Sequence, residues 1–137
     1  MTRQEVKEER KTYEGDPLVK NRLRQRMQDL LSKNMLRNVP QADVVITNPT
    51  HYAVALEYNR LAMEAPTVIA KGQDNLALRI REVAAEERVP LVENKPLARA
   101  LYAEVEIGDA IPESFYEAVV IVLKQVFEMT GKVVGGR

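Results

Sequence analysis

The sequence has no cysteine, no tryptophan and a single histidine, His51. Without cysteine there is no disulfide framework, no thiolate nucleophile and no thiolate metal site. One histidine is too few for a conventional zinc site, so neither a metal nor a cofactor is expected. Lack of cysteine fits a reducing cytoplasm. No apolar run approaches the roughly 18 residues of a membrane span; the longest is Ala118 to Leu123. The opening MTRQEVKEERK has no apolar centre, so no signal peptide is expected. The expectation is a soluble piece, compatible with being part of a larger membrane protein. Hydrolase chemistry of the serine type is disfavoured, because only Ser32 and Ser114 are available and neither has nucleophile-elbow context.

Charge of one sign is not in excess overall, since twenty Lys and Arg balance twenty Asp and Glu. It is unevenly spread. Residues 1–37 hold ten basic and six acidic side chains, net +4, and residues 38–137 hold ten and fourteen, net −4. The pattern describes a basic arm on an acidic body. Two readings of the arm stand side by side: a solvated helical face, or a role near anionic lipid or an acidic partner. The acidic body and the scarcity of aromatics, five Tyr and two Phe, argue against nucleic acid as a partner.

Local patterning predicts an α/β fold: a small sheet of about four strands surrounded by about four helices, with a long N-terminal helical arm. Residues 1–14 are nearly all polar and read as frayed helix or disorder. Gly15-Asp16-Pro17 reads as a hinge. Leu23, Met27, Leu30 and Leu31 then recur at helical spacing within Pro17 to Arg37. Residues 1–40 are thus a charged helical linker. Asp43 to Thr47, His51 to Tyr58, Thr67 to Ala70 and Val89 to Val92 are β-rich runs. Pro90 implies a strand start or an edge. Tyr52, Val54, Leu56 and Tyr58 alternate with His51, Ala53, Ala55 and Glu57, so the second strand has two distinct faces. Asp74 is the expected N-cap of a helix to about Arg88, buried through Leu76, Ile80, Val83 and Ala84. Pro96 and Pro112 each open a further helix. Phe115, Val119, Val122, Leu123 and Val126 form the stripe of the last one, and Gly131 is its expected C-cap. The body spans 41–131, and 132–137 is expected to be a flexible tail.

The chemistry concentrates where the first two strands meet, at Asn48-Pro49-Thr50-His51. Asn followed by Pro is a favoured opening of a β-turn, and a plain turn is one reading. The other is self-cleavage. Ordinary asparagine ageing needs the next residue's backbone N–H, and Pro49 has none. What remains open is attack by the Asn48 side-chain nitrogen on Asn48's own main-chain carbonyl, which closes a succinimide and expels Pro49. The amide is a poor nucleophile, so the site must hold it in place. His51 is a candidate proton acceptor, backbone N–H groups near Thr50 are candidate oxyanion donors, and Thr47 or Thr50 is a candidate to orient the amide. Lys71-Gly72-Gln73-Asp74 superficially suggests an anion site, but it lacks the phosphate-loop pattern.

Beyond that motif, the run Ala42-Asp43-Val44-Val45-Ile46-Thr47-Asn48-Pro49-Thr50-His51-Tyr52-Ala53-Val54-Ala55-Leu56 closely resembles the cytoplasmic domain of the export-switch proteins of type III secretion, the FlhB/YscU family, and its flagellar branch in particular. The likeness continues through Val68-Ile69-Ala70-Lys71-Gly72, Leu76 to Glu82, Val89 to Glu93 and Lys95 to Tyr102, and covers about residues 15–128. The resemblance implies a single-event autocatalytic cut rather than a turnover enzyme. Asn48 would be the cyclising residue and Pro49 the new N-terminus, with Thr50 and His51 shaping and assisting the site. It implies a preceding N-terminal membrane domain absent from this chain, at the inner membrane of the flagellar basal body. The implied partners are other export-apparatus components, a hook-length control protein, and exported flagellar substrates with their chaperones. The implied role is switching export from rod and hook proteins to filament proteins. The alternative is a non-cleaving interaction domain in which Asn48-Pro49 is only a turn.

Overall fold

The computed structural model describes residues 15–49 and 51–135. The expectation for residues 1–14 lies outside the described residues. The chain divides into two compact units, Met1–Asn34 and Met35–Arg137. Helix α1 (Pro17–Leu36), all but its last two residues in the first unit, is preceded by Asp16, whose carboxylate accepts the Leu18 N–H at 3.0 Å. Asp16 at the cap and Pro17 at the first helical position make a well-defined helix start. Along α1, Leu23, Met27, Leu30 and Leu31 are all exposed.

The second unit is a four-stranded mixed sheet with helices on both faces, in the element order expected from the sequence. Its strands are β1 (Val44–Asn48), β2 (Tyr52–Glu57), β3 (Thr67–Gln73) and β4 (Leu91–Glu93), in spatial order β3-β2-β1-β4. β1–β2 and β2–β3 are antiparallel, and β1–β4 is parallel. The parallel pair is bridged by helix α2 (Asn75–Glu86), as parallel neighbours require a crossover. Pro90 sits directly before edge strand β4, where its missing N–H costs no ladder bond.

The period-2 alternation of β1 and β2 sorts the core into two layers, while a register shift in the β2–β3 ladder at Ala55/Leu56 accompanies the placement of Val68 and Ala70 in different layers. Val44, Ile46, Val54, Leu56, Val68 and Val92 face α3 (Lys95–Glu104) and α4 (Tyr116–Thr130), meeting Leu97, Leu101, Val119, Val122 and Val126. On the other face Val45, Ala53, Ala55 and Ala70 meet Ala77, Ile80 and Ala84 of α2, with Met35 and Val39. That second face is largely alanine, so α2 packs close against the backbone. β1 is buried on both faces from Val44 to Thr47, which is why its first three residues are consecutive apolar side chains rather than an alternation.

Three local expectations need adjusting. β3 runs to Gln73 rather than ending at Ala70, because Lys71, Gly72 and Gln73 continue pairing with Val54, Ala53 and Tyr52. Phe115 lies in a 3-10 turn (Glu113–Phe115) ahead of α4 rather than within it. Asp74 occupies the N-cap position of α2, but its side chain makes no capping bond. By contrast α3 is capped as a helix should be: Asn94 accepts the Leu97 N–H at 3.2 Å, with Pro96 in the first turn. Gly131 ends α4 in the left-handed region at φ 72°. Past it, Val134 packs partly against the larger core layer.

Candidate functional site

The junction of β1 and β2 is a tight hairpin. Asn48 is the last residue of β1 and pairs across the ladder with Tyr52, the first residue of β2. Pro49, Thr50 and His51 span the gap. Thr50 lies outside the described residues. Within the turn the His51 N–H donates to the Asn48 carbonyl oxygen at 2.9 Å. That oxygen belongs to the carbonyl that the Asn48 side-chain nitrogen would have to attack. An N–H donor already in place polarises the carbonyl and sits where an oxyanion would develop. The sequence suggests such donors near Thr50, and the His51 N–H is adjacent to it in the chain.

Both sides of the Asn48–Pro49 bond are held. On the β1 side Thr47 is buried, paired with Ala53 on β2 and Glu93 on β4. Its carbonyl accepts the Asn94 N–H at 3.0 Å, which ties the start of α3 to the end of β1. On the β2 side the Tyr52 ring stacks on Tyr102 of α3 with centroids 4.9 Å apart. Lys71 completes that contact. Its ammonium donates to the Tyr102 carbonyl at 2.9 Å, lies 5.1 Å from the ring centroid, and is 3.8 Å from Glu106. The far end of the hairpin is pinned too, because the Asp43 carboxylate accepts the Tyr58 N–H at 2.7 Å.

His51 is exposed, and its Nδ1 lies 3.9 Å from Asp74 Oδ1. The two meet because β2 directs His51 to the same face as Ala53 and Ala55, the face α2 covers, and Asp74 stands at the start of α2. Asn48 and Pro49 are half-buried. Of the hollows on the surface of the body, three are lined by residues away from Asn48 and Pro49. One is lined by Arg88, Pro90 and Thr130, a second by Leu91 and Met129, a third by Tyr58, Pro66 and Leu123. No cluster of His, Cys, Asp and Glu suited to a metal occurs among the described residues.

The structure thus brings Asn48, Pro49 and His51 into one turn and adds residues that patterning did not single out for the site: Asn94, Tyr102 and, in a new role, Asp74. Asn94 was legible as an asparagine two positions before Pro96, the spacing of a cap and a first-turn proline. The Tyr52–Tyr102 stack depends on strand register and helix docking and has no local signal.

Comparison with known proteins gives one consistent result. Residues 1–126 match the family model described as the FlhB HrpN YscU SpaS Family. The chain is 49% identical over 133 residues to the flagellar biosynthetic protein FlhB of Bacillus subtilis, covering 97% of this chain and 37% of that protein. It is 51% identical over 129 residues to that of Salmonella typhimurium, covering 94% and 34%. It therefore spans about a third of the length of these relatives. Among solved structures, the cytoplasmic domain of FlhB from Shewanella putrefaciens is similar with a TM-score of 0.69 at 45% identity, over 72% of this chain and 75% of that one. Other solved neighbours are EscU C-terminal domains substituted at an asparagine, at the proline directly after it, or at a histidine three positions beyond the asparagine.

Proposed function

The chain belongs to the FlhB HrpN YscU SpaS family, and on that premise we propose that it is the cytoplasmic domain of a flagellar export-apparatus protein that cuts its own backbone between Asn48 and Pro49. The Asn48 side-chain nitrogen attacks the Asn48 carbonyl carbon. A five-membered ring closes, the bond to Pro49 breaks, and Pro49 leaves as a secondary amine. One proton is lost from the side-chain amide and one is gained by the proline nitrogen. Water later opens the succinimide. The site is used once per chain.

The observation that carries this reading is the 2.9 Å bond from the His51 N–H to the Asn48 carbonyl. It offers preorganised stabilisation to the oxygen that must take up negative charge, on a hairpin whose flanks are fixed by the sheet. Asn48 supplies the nucleophile and Pro49 the leaving group. His51 supplies the backbone donor and, in this reading, takes up the amide proton. Thr50 is assigned a shaping role from its place in the motif. The asparagine, proline and histidine that vary among the EscU domains have the spacing of Asn48, Pro49 and His51 here.

A cut here leaves the body assembled. β1 stays paired with β2 across five residue pairs and with β4 across three, so the two pieces remain joined by ladder bonds and buried apolar surface. Only the turn is released. We assign the consequence to signalling: the freed turn changes the surface read by a hook-length control protein, by other export components, and by exported substrates with their chaperones. Export then passes from rod and hook proteins to filament proteins. A membrane domain preceding this chain would anchor it at the inner membrane of the basal body.

Intact mass under denaturing conditions tests the cut. Purified chain should yield pieces of 48 and 89 residues (137 − 48 = 89), and Asn48→Ala a single chain. Folded parent protein that stays whole at neutral pH overturns the proposal and leaves an interaction domain with an ordinary turn.

A further inference from the structure

We propose that Asp74 is a positioning residue for this cleavage, acting through His51; the inference rests on the cleavage reading above. Asp74 meets His51 at two points. Its backbone N–H donates to the His51 carbonyl at 2.9 Å, and its Oδ1 lies 3.9 Å from the imidazole Nδ1. The first contact belongs to a chain of two hydrogen bonds, from the Asp74 N–H to the His51 carbonyl and from the His51 N–H to the Asn48 carbonyl. Whatever fixes the His51 backbone fixes the donor aimed at the carbonyl under attack. The second contact places the Asp74 carboxylate beside the imidazole that the cleavage reading employs.

Local structure at Asp74 supports a role beyond the helix it precedes. An Asp at this position ordinarily turns its carboxylate onto the free N–H groups of the first turn. Here that bond is not made. Asp74 instead adopts φ 53° and ψ −118°, and only Arg88 shares a positive φ among the non-glycine described residues. Such a conformation is unfavourable for a side-chain-bearing residue and persists where the surroundings impose it. The surroundings are β3, which ends at Gln73 opposite Tyr52, and α2, which starts at Asn75. Between them they present Asp74 to the turn at His51.

The experiment follows cleavage in the 137-residue chain by pulse-labelled translation, chase and denaturing electrophoresis. Asp74→Asn keeps the backbone N–H and tolerates positive φ, but removes the charge. It should slow the cut by about 2- to 5-fold, the scale of an exposed ion pair. The decisive reading is a cycle with His51→Ala. If Asp74 acts through His51, Asp74→Asn has no further effect once the imidazole is gone, whereas a merely structural role slows both backgrounds alike. Thermal melting of uncut Asn48→Ala protein, with and without Asp74→Asn, reports whether the fold is kept. Should it fall, Asp74→Gly, which relieves the positive φ, takes its place in the cycle. Parental cleavage rates in Asp74→Asn, or equal slowing in both backgrounds, overturn the inference and leave the cleavage reading standing. A parent chain that never cuts overturns both.

Discussion

Ile46 offers the sharpest test of what holds the hairpin together, because it lies two residues before the Asn48–Pro49 bond and has no exposed surface. It pairs with Val54 on β2 and Val92 on β4, and its side chain belongs to the layer under α3 and α4. Ile46→Ala removes three buried carbons, about 0.8 kcal/mol each by transfer. The cavity left behind raises the loss to about 3–4 kcal/mol. In a unit of 103 residues (Met35–Arg137), each kcal/mol lowers the melting temperature by roughly 4–8 °C. The expected fall is therefore at least about 12 °C, measured by circular dichroism on an Asn48→Ala background so that both chains are continuous. In cut protein, where Ile46 lies on the shorter piece, the same loss should weaken association of the pieces by about 100- to 1000-fold. Sedimentation across a dilution series reads this as dissociation at concentrations where the parent stays whole. A loss below about 1 kcal/mol would refute the argument that β1 packing carries the retained piece.

Two further substitutions probe the scaffold. Gly72 faces Ala53 across the β2–β3 ladder, and a Cβ there would lie 2.6 Å from Leu76 Cγ and 3.0 Å from Leu76 Cβ. Gly72→Ala should therefore cost about 1–3 kcal/mol through overpacking at the start of α2, read from the urea midpoint; an unchanged midpoint would show that Leu76 moves aside freely. Asn94→Ala removes the side-chain cap of α3 and should cost about 1 kcal/mol, while the Asn94 N–H to Thr47 carbonyl bond is retained. Hydrogen exchange should then rise at the Leu97 N–H in the first turn of α3 but not at the Asn94 N–H, and equal exposure of both would contradict this division.

Much of the architecture was legible because local chemistry and global packing agree. Alternation in β2 separated Val54 and Leu56 from Ala53 and Ala55, and these pairs do line different core layers. Pro90 marked an edge strand, Pro96 a helix start and Gly131 a helix end, since each restricts the backbone in a way few conformations accept. Asp74 shows where such reasoning stops. Propensity assigned it to the helix on its C-terminal side, but it sits where β3, α2 and the β1–β2 turn converge, and its main-chain N–H bonds to the turn. The length of β3 was equally hidden, because Lys71, Gly72 and Gln73 are poor strand formers held by pairing with β2. Context overrides propensity most readily in strands.

The sequence alone determined the groups on which the proposed cut relies: an asparagine whose next residue has no N–H to attack it, a proline as leaving group, and a histidine three positions on. These are properties of covalent structure and survive any fold. The tertiary structure decided the direction of the His51 N–H, the burial of Thr47, the stacking of Tyr52 on Tyr102 and the placement of Asp74 beside the turn. The His51 N–H direction is set within the turn, with the Asp74 N–H bonded to the His51 carbonyl; the others depend on contacts between segments distant in sequence, which exist only once strand register and helix docking have brought those segments together.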